Sequence, residues 1–150
     1  FLQTLTGGRI SISALAIGTA EGAYERALKY STERDAFGKK IHNFQAISFK
    51  LAEMATQIEA SKQLTYHAAW LKDQGKNTVK AAAMAKLFSS EAAMKITEEA
   101  IQIYGGYGYI KEYDVERFFR DAKILTIGEG TSEIQKIIIS REILNNISNL

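Results

Sequence analysis

The 150-residue chain contains no cysteine and no proline. The first absence removes disulfide scaffolds, thiolate metal sites, iron–sulfur ligation and thiol catalysis together, and it accords with a reducing compartment. The second counts against a loop-rich β-sandwich: average usage puts proline near ~5% of residues, so its absence leaves room for long uninterrupted helices. Charge of one sign is also lacking, because 19 Lys and Arg stand against 17 Asp and Glu for a net +2. No basic run is long enough to follow a phosphate backbone, so no nucleic acid partner is expected. No apolar stretch approaches the ~18 to 20 residues that cross a bilayer, and no signal-peptide pattern occurs, so no membrane partner is expected either. What is present is 46% hydrophobic and 24% charged, enough for a single domain over 1–150 with its own core. The chain opens at Phe1 inside an apolar-periodic segment and reads as a piece of something longer.

Periodicity predicts a first helix from about Arg9 to Arg34, with Ile10, Ala14, Ile17, Tyr24 and Leu28 on one stripe. Gly18 and Gly22, one turn apart, read as a place where a neighbouring helix comes close. Asp35 to Asn43 breaks the pattern, and a second helix starts near Phe44 on Ile47, Leu51, Met54 and Ile58, ending at Gly75. Asn77 or Thr78 can cap an alanine-rich third helix that reaches Ile103. A short helix over Val115 to Arg120 follows, and Ser132 with Gln135 has capping-box spacing for the last helix. Four principal helices with short connections predict an all-α fold, an antiparallel four-helix bundle.

Bundles often hold metals, yet the i, i+3 Glu and His pairs of a carboxylate-bridged site are missing: Lys39 precedes His42 by three and Leu64 precedes His67. No metal site is expected. No G-x-S-x-G or other activated-nucleophile context occurs. The unusual feature is a carboxylate, Glu129, between Gly128 and Gly130. Its flanks leave the backbone free and put no side chain in the way of a ligand, which suits a general base; taken alone it reads more readily as a turn carrying an exposed glutamate.

Three motifs change that balance. Gln102, Gly105, Gly106, Gly108, Tyr109, Glu112, Arg117 and Asp121 stand in the spacing Q-x-x-G-G-x-G-Y-x-x-E-x-x-x-x-R-x-x-x-D. Arg34, Phe37, Gly38, Phe44 and Gln45 form R-x-x-F-G-x-x-x-x-x-F-Q, and Glu129 to Gln135 reads E-G-T-S-E-I-Q. Together they resemble the acyl-CoA dehydrogenases, specifically the C-terminal helical domain that follows a helical N-terminal and a middle β domain, both absent from this chain. The short-chain, butyryl-CoA type is the nearest match.

The resemblance implies an FAD-dependent enzyme that makes an α,β double bond in a fatty acyl-CoA, with Glu129 as the base. It implies substrate contacts at Thr6, Arg9 and Gly130, and FAD contacts at Arg34, Phe37, Gln45, Gln102, Gly105, Gly106, Thr131 and Glu133, several of them to a neighbouring subunit's flavin. It further implies a homotetramer, electron-transfer flavoprotein as acceptor, and the bacterial cytoplasm, with the mitochondrial matrix second. Some relatives place the base just before the arginine equivalent to Arg9, where this chain has Gly8; many have Tyr where it has Gly128, and Asp where it has Thr6. The last two differences leave acyl chain length and branching open. An oxidase that reduces oxygen would share the pattern, and a purely structural, oligomerising bundle remains the alternative from outside enzymology.

Overall fold

The computed structural model describes residues 2–147. Helix α1 spans Leu2–Glu33, α2 Gln45–Asp73, α3 Val79–Tyr104, α4 Gly106–Tyr109, α5 Val115–Leu125 and α6 Ser132–Ile147. Between α1 and α2 lies a two-stranded hairpin, β1 (Asp35–Ala36) and β2 (Lys39–Lys40), followed by a 3₁₀ turn over Ile41–Asn43. α1 packs mainly on α3, α2 lies along both, α5 crosses α1 and α3, and α6 rests on α3. The four principal helices expected from the pattern are α1, α2, α3 and α6. α1 starts seven residues earlier than periodicity suggests and runs through Gly7 and Gly8, and α5 continues five residues past Arg120 to Leu125.

The α1 contact with α3 is made by small side chains. Ala16, Ala20, Ala23 and Ala27 recur at four, three and four, and are buried against a cluster that includes Ala93, Ile96 and Ala100 of α3. Short side chains let two helix axes approach at the low end of the usual 8–10 Å separation. The stripe of larger residues expected to be buried is rotated away: of its members only Ile17 is buried, while Ala14 and Leu28 are exposed. Both rows have helical period, and only the partner helix decides which one faces inward.

Arg26 ties α1 to the segment before α5. Its Nε donates to Asp114 Oδ1 and Oδ2 at 2.8 and 2.9 Å, and its guanidinium lies 4.5 Å from the Phe118 ring centroid. Asp114 occupies the N-cap position of α5 without making a side-chain cap, because its carboxylate is engaged by Arg26. That hydrogen bond holds the carboxyl below its ordinary range.

Gly22 supplies the space for this junction: a Cβ there would meet Phe118 Cε1 at 2.6 Å, whereas at Gly18 nothing lies within 4 Å. The expectation that both glycines admit a neighbour therefore holds for Gly22 alone within this chain. Replacing Gly22 by Ala is expected to lower stability by about 1–3 kcal/mol through overpacking. Gly18→Ala should raise it by up to about 1 kcal/mol through helix propensity. Paired thermal melts check the contrast.

Candidate active site and cofactor surfaces

The chain between α5 and α6 folds back on itself, with the Ser132 N–H donating to Thr126 O at 3.1 Å. Within it Glu129 has φ +56° and Gly130 φ +96°, two successive left-handed residues that turn their carbonyls toward the interior. There the Gln135 side-chain amide donates to Glu129 O at 3.2 Å and Gly130 O at 2.9 Å, and Lys86 Nζ donates to Gly130 O at 2.7 Å. The Glu129 side chain goes the other way, onto α1. A Cβ built on Gly8 would stand 2.5 Å from its Oε2 and 2.6 Å from its Cδ. The carboxylate thus occupies the volume that any side chain at position 8 would need.

Arg9, the next residue, is 5% exposed and its Nε is buried without a hydrogen-bond partner. Burial pulls its guanidinium below the usual value, and the nearby Glu129 carboxylate opposes part of that shift. A buried donor left over beside a carboxylate is a group set to receive a ligand atom. Gly7 plays the same part for Lys72 that Gly8 plays for Glu129: a Cβ there would lie 3.0 Å from Lys72 Nζ. Thr6, buried, shares a cleft of about 490 Å³ with Lys72, Lys76 and Thr78.

A second surface lies toward the other end of α1. Arg34, exposed, stands with Gly105, Gly106, Tyr30, Tyr104 and Tyr107 around a cleft of about 490 Å³. Tyr30 and Tyr104 stack at 4.0 Å, and the Arg34 guanidinium lies 5.4 Å from the Tyr107 ring centroid. At Gly105 and Gly106 nothing lies within 4 Å of where a side chain would begin, so backbone is open to a ligand. A planar cation, bare backbone and aromatic walls suit a flat phosphate-bearing dinucleotide. Gln102, exposed one turn earlier, accepts the Gly105 N–H on its carbonyl at 3.2 Å.

The adjacent hairpin presents Phe37 almost wholly to water, 96% exposed, from a turn in which Phe37 (φ +51°) and Gly38 (φ +80°) are both left-handed. Left-handed backbone costs a non-glycine residue roughly 1–2 kcal/mol. The turn therefore holds an aromatic ring outward against both strain and solvation, with the Phe44 ring edge-on 6.3 Å away. Gln45 is exposed at the start of α2.

Thr131 and Glu133 meet in a third cleft, about 380 Å³, with Glu91, Lys123, Thr126 and Ser132. The cap of α6 is one residue earlier than the sequence spacing suggests: Thr131 Oγ1 accepts the Ile134 N–H at 3.4 Å. Gln135, expected to complete a capping box, instead reaches back to the Glu129 loop. Glu133 is held below its ordinary range, first by its own backbone N–H and then by the Thr131 hydroxyl.

The expected site residues therefore fall into separate groups. Glu129 and Arg9 come together with Gly130, and Thr6 lies one turn of α1 away. Arg34, Gly105 and Gly106 come together, with Gln102, Phe37 and Gln45 on nearby elements. Arg9 and Arg34 are separated by 25 residues of the first helical segment, roughly 37 Å along its axis, so this chain does not bring the two groups to one place. Sequence reasoning missed Lys72, Lys86 and the double role of the Gly7–Gly8 pair. Lys86 had a readable signal: Ala82, Ala83, Ser89, Ser90 and Ala93, at three, four and seven from it, are all buried. Among the described residues no group of His, Cys, Asp and Glu could hold a metal ion, and no helix is long and apolar enough to cross a membrane.

Comparison with known proteins places these observations. Residues 1–144 match the family model described as acyl-CoA dehydrogenase, C-terminal domain. The chain is 56% identical over 144 residues to a probable acyl-CoA dehydrogenase, YngJ, of Bacillus subtilis, covering 96% of this chain and 38% of that protein. It is 51% identical to the caffeyl-CoA reductase-Etf complex subunit CarC of Acetobacterium woodii, over 95% of this chain and 38% of that one. Butyryl-CoA dehydrogenase of Megasphaera elsdenii superposes with a TM-score of 0.94 at 50% identity, over 95% of this chain and 37% of that one. The chain thus spans less than two fifths of the length of these relatives. With the motifs, the helical architecture and the match over nearly its whole length in agreement, the chain belongs to the acyl-CoA dehydrogenase family as a C-terminal helical domain.

Proposed function

We propose that this chain works as the C-terminal domain of a longer FAD-dependent enzyme that introduces an α,β double bond into acyl-CoA thioesters, with Glu129 as the base. The observation that carries the reading is the Glu129 carboxylate lying on the bare backbone of Gly8 beside the buried Arg9. Bound FAD supplies the acceptor for the substrate's β-hydrogen. The protein's part is to hold and move the α-proton. Glu129 Oε2 takes it, and the loop geometry decides where that oxygen stands. Arg9, positive and desolvated, stands beside the carboxylate and offers its unpartnered Nε to the acyl end of the ligand. Thr6 and Gly130 complete the substrate side.

The Arg34 cleft fits the phosphates of FAD held largely by a second copy of the chain, which agrees with its distance from Glu129. Phe37, Gln45 and Gln102 extend that surface, and Gly105 and Gly106 let the ligand touch backbone. On the near side, Thr131 and Glu133 serve a flavin bound by their own chain; a carboxylate repels phosphate, so Glu133 is suited to accept from hydroxyls. This arrangement makes the working form a homo-oligomer, a tetramer by family resemblance. The bacterial relatives favour the bacterial cytoplasm, and the Etf-complex relative favours electron-transfer flavoprotein as acceptor over oxygen.

Acyl-group size turns on Gly128. A Cβ there would sit 3.5 Å from Ile124 O and 4.0 Å from Ile12 Cδ1, so a larger residue would extend across Ile12 and narrow the approach to Glu129. Glycine at this position favours short chains together with branched or bulky ones. Because one relative is named as a reductase, the same groups running in reverse form a second reading, with protonated Glu129 delivering the proton to the α-carbon.

The test is anaerobic mixing of the intact flavin-loaded protein with butyryl-, branched and long-chain acyl-CoAs, and of the reduced protein with enoyl-CoAs. Bleaching of the flavin by short or branched substrates is the expected result, and no response to any thioester in either direction rejects the proposal. Arg34→Met should weaken flavin retention by about 10- to 100-fold, the loss of one or two charge-assisted hydrogen bonds at roughly 1.5–3 kcal/mol. Equilibrium dialysis of the flavin measures it.

A further inference from the structure

Lys86 lies two turns into α3 and is 0% exposed, yet among the described residues it makes no ion pair; its hydrogen bond goes to a backbone carbonyl, Gly130 O, at 2.7 Å. Burial pushes its ammonium down from the ordinary lysine value, and the Arg9 charge pushes the same way against weaker help from Glu91 and Glu133. Burying an ammonium is expensive, and a buried charge can usually be exchanged for an apolar side chain of the same shape with no loss of stability or a gain. Nor is Lys86 needed to satisfy the carbonyl it meets, because the Gln135 amide already donates to Gly130 O at 2.9 Å. Gln135 is itself 0% exposed, its Oε1 buried without a partner. Two completely buried polar side chains, from α3 and α6, thus converge on the Gly130 carbonyl just after the base, Gln135 also holding the carbonyl of Glu129 itself, each at a net cost to the core.

From this convergence we infer that Lys86 and Gln135 are positioning residues, a clamp that fixes the backbone of Glu129 so that its carboxylate stays over Gly8; the inference rests on Glu129 being the base. Gln135 holds the Glu129 carbonyl, and Gln135 and Lys86 together hold that of Gly130; with the Gly130 carbonyl held less firmly, the left-handed Glu129 before it would be freer to relax toward negative φ. Rotation of that peptide swings the side chain off α1, so the carbonyl hydrogen bonds set where the proton is taken.

Lys86→Met removes the donor and keeps the volume. In the intact flavin-loaded protein it is expected to lower kcat about 10- to 100-fold, the range that follows from a misplacement of order 1 Å, with KM changed less than about threefold. The melting temperature should stay level or rise. Amide exchange over 128–133 should speed up at least about tenfold, a readout independent of turnover. Gln135→Met should move kcat and exchange in the same direction. A kcat within about twofold of the parent in the Lys86 variant overturns the clamp, as does a loss of kcat that merely follows a fall in melting temperature in both variants. Glu129→Gln run alongside separates the two ideas: if it leaves turnover intact, the base assignment fails, whereas its inactivity beside an undisturbed Lys86→Met fails the clamp alone.

Discussion

Glu129→Gln should lower turnover of the intact enzyme by about 10²- to 10⁴-fold, the usual contribution of a positioned general base. Melting temperature and flavin content should hold, because the substitution keeps the shape of the side chain and Glu129 is exposed within this chain. The backbone that carries it is fixed from its carbonyl side by Gln135 and Lys86, so the amide comes to rest where the carboxylate did. The change then isolates proton transfer. Anaerobic single-turnover kinetics with an α-deuterated acyl-CoA make the measurement: turnover unaffected by the substitution eliminates Glu129 as the base, and with the flavin test also negative it leaves the oligomerising scaffold as the better account.

Gly8→Ala should have the second largest effect, and in opposite directions for stability and activity. Inside α1, alanine is favoured over glycine by up to about 1 kcal/mol, so the melting temperature should hold or rise. The new Cβ would lie 2.5 Å from Glu129 Oε2, well inside van der Waals contact. What it meets is the far end of a flexible side chain, so the carboxylate gives way while the helix keeps its place. Misplacement of order 1 Å costs about 10²-fold in favourable geometries, and a fall in kcat of about 10- to 100-fold is expected. Gly7→Ala is the control, since its Cβ would meet only Lys72 Nζ at 3.0 Å and should change kcat much less. Equal kcat in Gly8→Ala and parent would mean that the carboxylate works from another position. The pair illustrates a familiar trade: a residue that weakens its own helix is kept where function needs the space.

Much of the architecture was legible because helices announce themselves through period and punctuation. The absence of proline, the apolar spacing around Leu51, Met54 and Ile58, and glycines at 75 and 105 gave α2 and α3 to within a residue or two. Glu129 was legible for a local reason, a carboxylate flanked by two glycines. The segment-level motifs were legible in the same way, since Arg34 to Gln45, Gln102 to Asp121 and Glu129 to Gln135 are contiguous stretches whose spacing survives without coordinates.

Other features were not, because they depend on what a second element brings. The buried row of α1 is the alanine row rather than the stripe of Ile10, Tyr24 and Leu28, because α3 offers a flat alanine-lined face. Ser132 and Gln135 have the spacing of a cap, yet Thr131 takes the cap and Gln135 turns to the carbonyls behind it. Gly18 and Gly22 look alike in the sequence and differ only because Phe118 of α5 lies over one of them.

What the chain's residues determined unaided is that it is helical, the bounds of α2 and α3, and which carboxylate stands out, since these are matters of local propensity and spacing. Only the tertiary structure decided that this carboxylate rests on Gly8, that a buried lysine from another helix bonds the carbonyl of the next residue, and that Arg9 and Arg34 stand far apart. Those facts are contacts between residues 44 and 121 positions apart or distances along a 32-residue helix. Packing of whole elements sets such contacts, and no pattern in a linear window encodes them.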